Sequence, residues 1–190
     1  MAELAALVTT PTLVPLTLGD YLRLDEAGAF EDYGKTELIE GQIYYMNAQH
    51  RPHARVKSDL FVQLALALRS LEADVRALVE ASIAVPPHNA PEPDIVLTDA
   101  ADGTGLVPLD SVRLVIEVSE TTLSNDLGRK AKLYARHGIA EYWVVDVTAR
   151  VFHQMWRPEV DAYTKDRIVP FGYDLRAETI TGLLVATGDL

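Results

Sequence analysis

Two acidic residues and one lysine stand in or beside the most apolar stretches of this sequence. Asp94 precedes the run Ile95–Leu97, Glu117 lies within Leu114–Val118, and Lys130 is on the segment that follows. An ionised carboxylate that leaves water without a partner costs several kcal/mol, so it must be protonated, paired or bound to a metal ion. We interpret Asp94 and Glu117 as ligands of a metal ion.

The composition limits which metal ion could bind. The sequence contains no cysteine, which excludes disulfides, thiolate zinc sites and cysteine nucleophiles together. The ligands must then be oxygen or imidazole, and carboxylate-rich sites of that kind favour Mg²⁺ or Mn²⁺. A lysine near a metal-bound carboxylate pair can orient an attacking water and stabilise charge that develops on a phosphate. The three residues are therefore suited to metal-assisted hydrolysis of a phosphate ester.

The spacing after Glu117 indicates which lysine enters the site. A helix is predicted from about residue 124 or 125 to residue 137, with Gly138 after its end. Its inward stripe, at spacings of three and four, consists of Leu127, Lys130, Ala131 and Tyr134. The opposite side carries Arg129, Lys132 and Arg136. The helical face therefore favours Lys130 over Lys132.

A purely structural interpretation of the same residues is open at this point. Glu117 and Lys130 could form a buried salt bridge, and Asp94 could accept backbone N–H bonds at the start of a strand. One lysine would balance one carboxylate, however, and here a second carboxylate arrives from another strand after the proline-rich loop 86–93. This convergence favours a functional site.

The rest of the pattern predicts a mixed α/β fold. A capping box at Thr17 predicts a short helix to about Gly28, residues 35–46 predict a tight hairpin about Glu40-Gly41, and residues 50–71 predict a long amphipathic helix. Strands are predicted at 75–85, 94–97, 112–118 and 141–146, with shorter ones at 151–156, 161–169 and 180–184. The expected fold class is α/β (α+β), a mixed central sheet flanked by helices, with an N-terminal hairpin and a C-terminal group of short strands.

Length and composition fit one domain. The chain has 190 residues, of which 48% are hydrophobic and 24% charged, as in an ordinary globular domain. We expect a loose N-terminal arm at residues 1–16 and a single domain at residues 17–190. No apolar run approaches the length of a membrane span, and the N-terminus lacks the features of a signal peptide. We therefore expect a cytoplasmic location and no membrane partner.

The net charge of −11 opposes a nucleic-acid partner, because affinity for a polyanion comes from lysine and arginine. A nucleic-acid substrate would therefore require the basic residues to be gathered. Two clusters are available: Arg51, Arg55 and Lys57 around His53, and Arg129, Lys132 and Arg136.

Five short motifs occur in a characteristic order. They are Glu37-Leu38-Ile39-Glu40-Gly41, Pro93-Asp94-Ile95-Val96, Val115-Ile116-Glu117-Val118-Ser119, Asp126-Leu127-Gly128-Arg129-Lys130 with Tyr134, and Glu141-Tyr142-Trp143-Val144-Val145-Asp146. From about Leu16 to Asp146, and more weakly to its end, the chain resembles the Uma-two family. That family is a branch of the PD-(D/E)XK nuclease superfamily, which has the restriction-endonuclease-like fold.

The resemblance implies a metal-dependent phosphodiesterase core. Asp94 and Glu117 match the two acidic ligands, whereas the place of the superfamily lysine, two residues after Glu117, is taken by Ser119; Lys130 matches a lysine that has moved to the following helix. Glu37 matches an additional carboxylate, a further ligand or a base. His53 matches a histidine usual at the start of the long helix, and it could equally be a capping or packing residue.

Together these observations predict an endonuclease that hydrolyses DNA with Mg²⁺ or Mn²⁺. One alternative is a DNA-binding or regulatory module with the nuclease fold and weak or lost cleavage. The other is an acidic oligomeric partner protein whose buried ion pairs are structural. A homodimer would suit a duplex substrate with two-fold symmetry.

Overall fold

Helices and strands alternate irregularly along the part of the chain that the computed structural model describes, residues 12–46, 48–188 and 190. The α-helices are α1 (Leu18–Glu26), α2 (Arg51–Ser70), α3 (Leu123–Asn125) and α4 (Ala131–Arg136). The strands are β1 (Thr36–Ile39), β2 (Gln42–Tyr45), β3 (Arg76–Val79), β4 (Ile83–Ala84), β5 (Ile95–Thr98), β6 (Val107–Pro108), β7 (Val112–Ser119), β8 (Glu141–Asp146), β9 (Val151–Glu159), β10 (Ala162–Pro170), β11 (Leu175–Arg176) and β12 (Leu184–Val185).

A six-stranded sheet with the order β10-β9-β8-β7-β5-β3 forms the centre of the fold. Its β7–β8 pair is parallel, and the other four pairs are antiparallel. The remaining strands form three small sheets, β1–β2, β4–β6 and β11–β12. The predicted mixed sheet with an N-terminal hairpin is confirmed.

Both faces of the central sheet are covered by apolar side chains. On one face, Ile95 and Leu97 of β5 belong to the same core cluster as Leu60 of α2. On the other face, Val96 belongs to a cluster with Tyr134 of α4. Because successive strand residues point to opposite faces, a strand covered on both faces must be apolar at nearly every position. The continuous apolar runs in the sequence reflect this double coverage.

The N-terminal segments of the described chain match their predictions. Thr17 and Asp20 form the capping box at the start of α1. The hairpin turns at Glu40 and Gly41, with φ values of 52° and 76°, and a Cβ on Gly41 would lie 2.4 Å from the side chain of Pro15. Only glycine fits that position without displacing its neighbour. Residues 1–11 of the predicted arm lie outside the described residues.

Four of the predicted strands need correction. The single strand predicted at 75–85 is split into β3 and β4, because Glu80 has a φ of 53°, which strand geometry does not allow. The strands predicted as short at 151–156 and 161–169 are β9 and β10 of nine residues each, and both belong to the central sheet. Of the last predicted strand, 180–184, only residue 184 is in a strand, β12.

In the described residues, no helix combines the length and the apolar character that crossing a membrane requires.

Candidate active site

The register between two antiparallel strands places Asp94 beside Glu117. Ile95 of β5 pairs with Ile116 of β7, so the residue before Ile95 comes opposite the residue after Ile116. The backbone N–H of Val118 donates to Asp94 Oδ2 at 2.8 Å, which fixes this carboxylate at the start of β5. The two acidic residues predicted as metal ligands are therefore neighbours on adjacent strands.

Side chains from helix α2 and the residues before it contact both oxygens of Asp94. His53 Nε2 lies 3.2 Å from Oδ2, and Lys57 Nζ lies 3.4 Å from Oδ1. Gln49 Nε2 donates to Oδ1 at 3.4 Å. Burial disfavours the charged carboxylate, but hydrogen bonds from His53 and Val118 and the positive charges of His53 and Lys57 outweigh it and lower the pKa of Asp94.

His53 lies in the cleft beside Asp94 and is not the helix cap, since the N-cap residue of α2 is His50. Its Nε2 faces Asp94, so Nε2 carries the proton that is donated. Its Nδ1 is buried and has no hydrogen-bond partner among the described residues.

Glu117 is 4% exposed and is held by two side chains of the following helical segment. Its Oε1 accepts hydrogen bonds from Lys130 Nζ and from the Tyr134 hydroxyl, each at 2.9 Å. Successive residues of β7 point to opposite faces of the sheet. Glu117 and Val115 point away from the face that α2 covers, so Glu117 points towards this helical segment. The inward placement of Lys130 predicted from helical spacing is confirmed.

Burial and three neighbouring carboxylates disfavour the charged form of Glu117. Burial raises the pKa of Glu117 to about 8, and the carboxylates of Asp126, Asp94 and Glu37 act in the same direction against the opposing effect of Lys130. Burial alone would lower the pKa of Lys130, but the charges of Glu117, Glu37 and Asp126 outweigh it and raise that pKa. A cation bound here would favour the ionised form of Glu117.

Glu37 reaches the site from the N-terminal hairpin. Its Oε2 lies 3.3 Å from Lys130 Nζ, so one ammonium group bridges Glu37 and Glu117. The next residue, Leu38, exchanges two backbone hydrogen bonds with Ala90, at 3.2 and 2.8 Å. This pairing docks the hairpin against the loop that leads to Asp94, which places Glu37 in the cleft.

The helical segment that carries Lys130 is not the single regular helix that the sequence predicts. It consists of α3, a π-helical stretch over Asp126–Lys130, and α4. Asp126 is buried, and its Oδ2 accepts hydrogen bonds from the hydroxyls of Ser119 and Thr122. These bonds tie the start of the π-helix to the end of β7. Such one-turn π segments occur often at functional sites.

The predicted nucleic-acid contacts occupy four different environments. Lys57 departs from the prediction, because its side chain is 8% exposed and lies against Asp94, whereas Arg55 on the same helix is 76% exposed. Arg51 is also exposed. The exposed Lys132 lines a separate cavity of about 340 Å³ near β9 and β10.

Arg129 and Arg136 are already paired within the chain. Arg129 Nε lies 3.6 Å and Arg136 Nη1 lies 3.2 Å from the carboxylate of Glu40. Arg129 also stacks on the ring of Tyr44, 4.3 Å from its centroid. Arg129 lines the cleft, so of this basic cluster it is the residue next to the acidic site.

The sequence analysis does not place three residues next to the predicted site that the structure brings there: Lys57, Gln49 and Asp126. A signal for Lys57 was present, because it follows His53 by four residues and therefore shares its helix face. Gln49 precedes the helix, and Asp126 is polar at the start of a predicted helix, where capping is the ordinary expectation.

All five predicted site residues, Glu37, His53, Asp94, Glu117 and Lys130, line one cleft of about 510 Å³. Among the described residues, no three histidine, aspartate or glutamate side chains converge closely enough to form a metal cluster by themselves. Mg²⁺ usually keeps several waters and binds through one or two carboxylates plus substrate phosphates. The oxygen pair of Asp94 and Glu117, in a cleft with excess negative charge, fits that kind of site.

Comparisons with known proteins identify the family and the fold of the chain. The family model Uma2, described as "Putative restriction endonuclease", matches residues 18–187. The crystal structure of "a putative nuclease belonging to DUF820 from Anabaena variabilis ATCC 29413" is similar in fold, with a TM-score of 0.63 and 18% sequence identity over 89% of this chain and 92% of that one. No curated protein matches the chain. The predicted fold class is thereby confirmed.

Proposed function

Because the chain belongs to the Uma2 family of restriction-endonuclease-like proteins, we propose that it is a Mg²⁺- or Mn²⁺-dependent endonuclease that hydrolyses DNA phosphodiester bonds. The observation that supports this proposal most strongly is the placement of Asp94, Glu117 and Lys130. They come from two strands and a helix and lie within one cleft, with Glu37 bridged to Glu117 through Lys130. A structural salt bridge needs only one carboxylate and one lysine.

Each residue of the cleft has a different role in the proposed hydrolysis. Asp94 and Glu117 would hold the metal ion, which when bound supplies Lewis-acid activation of the phosphate and of water. Lys130, fixed between Glu117 and Glu37, orients the attacking water and stabilises the negative charge that develops on the phosphate. Glu37 is positioned to accept the proton of that water or to serve as a further ligand. Tyr134 fixes the orientation of Glu117 by its 2.9 Å hydrogen bond.

The substrate would approach past the basic residues at the rim of the cleft. Arg129 lines the cleft, and its guanidinium group suits a phosphate oxygen. Arg51 and Arg55 are exposed at the start of α2, the helix that also carries His53. We assign these three arginines, with Lys132 and Arg136, to the DNA backbone. Lys57 is not among them.

The proposal is tested with two substitutions that keep the side-chain size and remove the charge. We expect Asp94→Asn and Glu117→Gln each to lower Mn²⁺-dependent cleavage of plasmid DNA by at least about 100-fold. Asp102→Asn is the control, because the Asp102 side chain is 85% exposed and does not line the cleft. Equal cleavage by all four proteins would contradict the assignment. DNA binding without cleavage and without heat on Mn²⁺ titration would favour the binding-module alternative.

A further inference from the structure

Lys57 of α2 is a second buried lysine next to the acidic residues, and it contacts Asp94, whereas Lys130 contacts Glu117 and Glu37. The Lys57 ammonium group lies 3.4 Å from Asp94 Oδ1 and donates to Gln49 Oε1 at 2.6 Å. It also forms an ion pair with Glu80. Lys57 thus stands between two carboxylates, one of which is a proposed metal ligand.

Glu80 is well suited to be the other partner of this ammonium group. Its side chain is 31% exposed and also contacts Lys35. Burial opposes its charge, but Lys35 and Lys57 outweigh burial and lower the pKa of Glu80 to about 2, so it is charged at neutral pH. Gln49 Nε2 spans the two carboxylates, 3.3 Å from Glu80 Oε1 and 3.4 Å from Asp94 Oδ1.

The position of Lys57 next to Asp94 opposes cation binding at the same carboxylate. Two positive charges a few ångströms apart repel each other strongly in a partly buried site. The water-orienting role is assigned to Lys130, which contacts Glu117 and Glu37, so Lys57 is not needed for it. Its alternative partner, Glu80, is already in contact with it. Glu80 meets Asp94 only through the backbone, where its N–H donates to the Asp94 carbonyl at 3.1 Å, so the Glu80 carboxylate is free to hold the ammonium group.

We propose that Lys57 sets the metal affinity of the site by competing with the divalent cation for Asp94, and that Glu80 with Gln49 accepts the ammonium group when the cation binds. This inference rests on the proposed function, because it takes Asp94 as a ligand. Lys57 is a positioning residue in this scheme, since it acts through Asp94. The ion pair with Glu80 lowers the cost of withdrawing Lys57 from Asp94.

The test is Mn²⁺ titration of the full chain by calorimetry, without any substrate. We expect Lys57→Met to bind Mn²⁺ at least about tenfold more tightly than the wild type. The matched control is Arg69→Met, which removes one positive charge from an exposed side chain in the last turn of the same helix and should leave the affinity within about twofold. Equal or weaker binding by Lys57→Met, including no binding by either protein, would overturn the proposal.

A second pair of variants tests the role of Glu80. Glu80→Gln should weaken Mn²⁺ binding more than Glu92→Gln does, because Glu92 also lies in the cleft and near Lys35, at 3.6 Å, but has no ion pair with Lys57. In the Lys57→Met background, the two substitutions should have equal effects. A larger effect of Glu80→Gln in that background would show that Glu80 does not act through Lys57.

Failure of the proposed function has a different signature. If Asp94 is not a ligand, Asp94→Asn binds Mn²⁺ as tightly as the wild type. If Asp94→Asn abolishes binding while Lys57→Met leaves it unchanged, the metal site is correct and the competition by Lys57 is wrong.

Discussion

Each carboxylate proposed as a metal ligand has its own buried lysine. Lys57 lies 3.4 Å from Asp94, and Lys130 lies 2.9 Å from Glu117. Buried ion pairs are often no more stabilising than apolar side chains of the same size, because both charges lose their hydration. Stability alone therefore gives little reason for two such pairs on adjacent strands. A site in which a bound cation takes the place of a lysine ammonium group requires both carboxylates.

At the level of single residues, the strongest test concerns the two lysines of the helical segment after β7. We expect Lys130→Met to lower Mn²⁺-dependent cleavage at least about 100-fold, because it removes the charge that orients the water. Lys132→Met should lower cleavage by no more than a few-fold, because Lys132 is exposed outside the cleft and supplies one contact with a phosphate of the DNA backbone. Cleavage rates of the two variants on the same plasmid provide the measurement.

Lys130→Met leaves two buried carboxylates without their partner, and unfolding of the variant would also abolish cleavage. Circular dichroism therefore has to show a folded protein. The double variant Glu37→Gln with Lys130→Met removes a negative and a positive charge together and should be more stable than Lys130→Met alone. If the folded double variant cleaves at the wild-type rate, Lys130 has no role in the reaction.

The sequence predicts the inward position of Lys130 but not that of Lys57. Lys130 shares a stripe with Leu127 and Tyr134, and this local spacing is enough to place it inside. Lys57 lies in a run of basic residues, and its inward position depends on Asp94 and Glu80, which are distant in sequence. The spacing of four residues from His53 indicates a shared helix face, but it does not reveal the contacts with Asp94 and Glu80, and the basic run by itself favours a contact with DNA.

At the level of elements, one buried glutamate connects the last segments of the chain to the central sheet. Glu141 at the start of β8 is fully buried. Its carboxylate accepts hydrogen bonds from Trp143 Nε1 at 2.6 Å, from the backbone N–H groups of Glu178 and Thr179 at 2.9 and 2.8 Å, and from Gln154. The segment between β11 and β12 is thereby held against the sheet.

We expect Glu141→Gln to lower the free energy of unfolding by about 2–4 kcal/mol, because an amide group replaces an acceptor that faces buried donors. Chemical denaturation measures the difference. Glu26→Gln on the exposed side of α1 is the control and should change stability by less than about 0.5 kcal/mol. Since Glu141 does not line the cleft, the folded variant should bind Mn²⁺ like the wild type. Unchanged stability would show that the network is not needed to hold the C-terminal segments.

The elements themselves were predictable wherever one local rule decides them. The capping box at Thr17, the Glu40-Gly41 turn and the apolar runs of β5 and β7 all follow such rules. The π-helix over Asp126–Lys130 and the break at Glu80 do not, because each depends on contacts with other parts of the chain. The length of β9 and β10 also depends on pairing with a neighbouring strand, which makes half-polar strands stable.

At the level of the whole molecule, the net charge of −11 works against a DNA substrate. Glu40 adds to this effect locally, because it lies near both Arg129 and Arg136, at 3.6 and 3.2 Å. The basic residues that remain exposed must therefore carry the contacts with phosphate. Such contacts weaken steeply as the salt concentration rises.

We expect Glu40→Gln to strengthen binding of a DNA duplex several-fold at low salt, because it frees two arginines for phosphate contacts. Glu40 is 50% exposed, so the substitution should not affect folding. Glu159→Gln, at an exposed glutamate of β9, is the control for the change in net charge. Fluorescence anisotropy over a range of salt concentrations measures both. Equal increases in DNA affinity for the two variants would mean that the net charge, and not the two arginines, determines the affinity.

In the proposed function, Asp94 and Glu117 bind one divalent cation. The most direct measurement is a crystal structure of the protein soaked in Mn²⁺, with an anomalous difference map calculated from data that include the manganese signal. We expect one peak within coordination distance of a carboxylate oxygen of Asp94 and of Glu117, with Lys130 close to Glu117. A map without a peak between these two carboxylates, at a Mn²⁺ concentration that supports cleavage, would contradict the account.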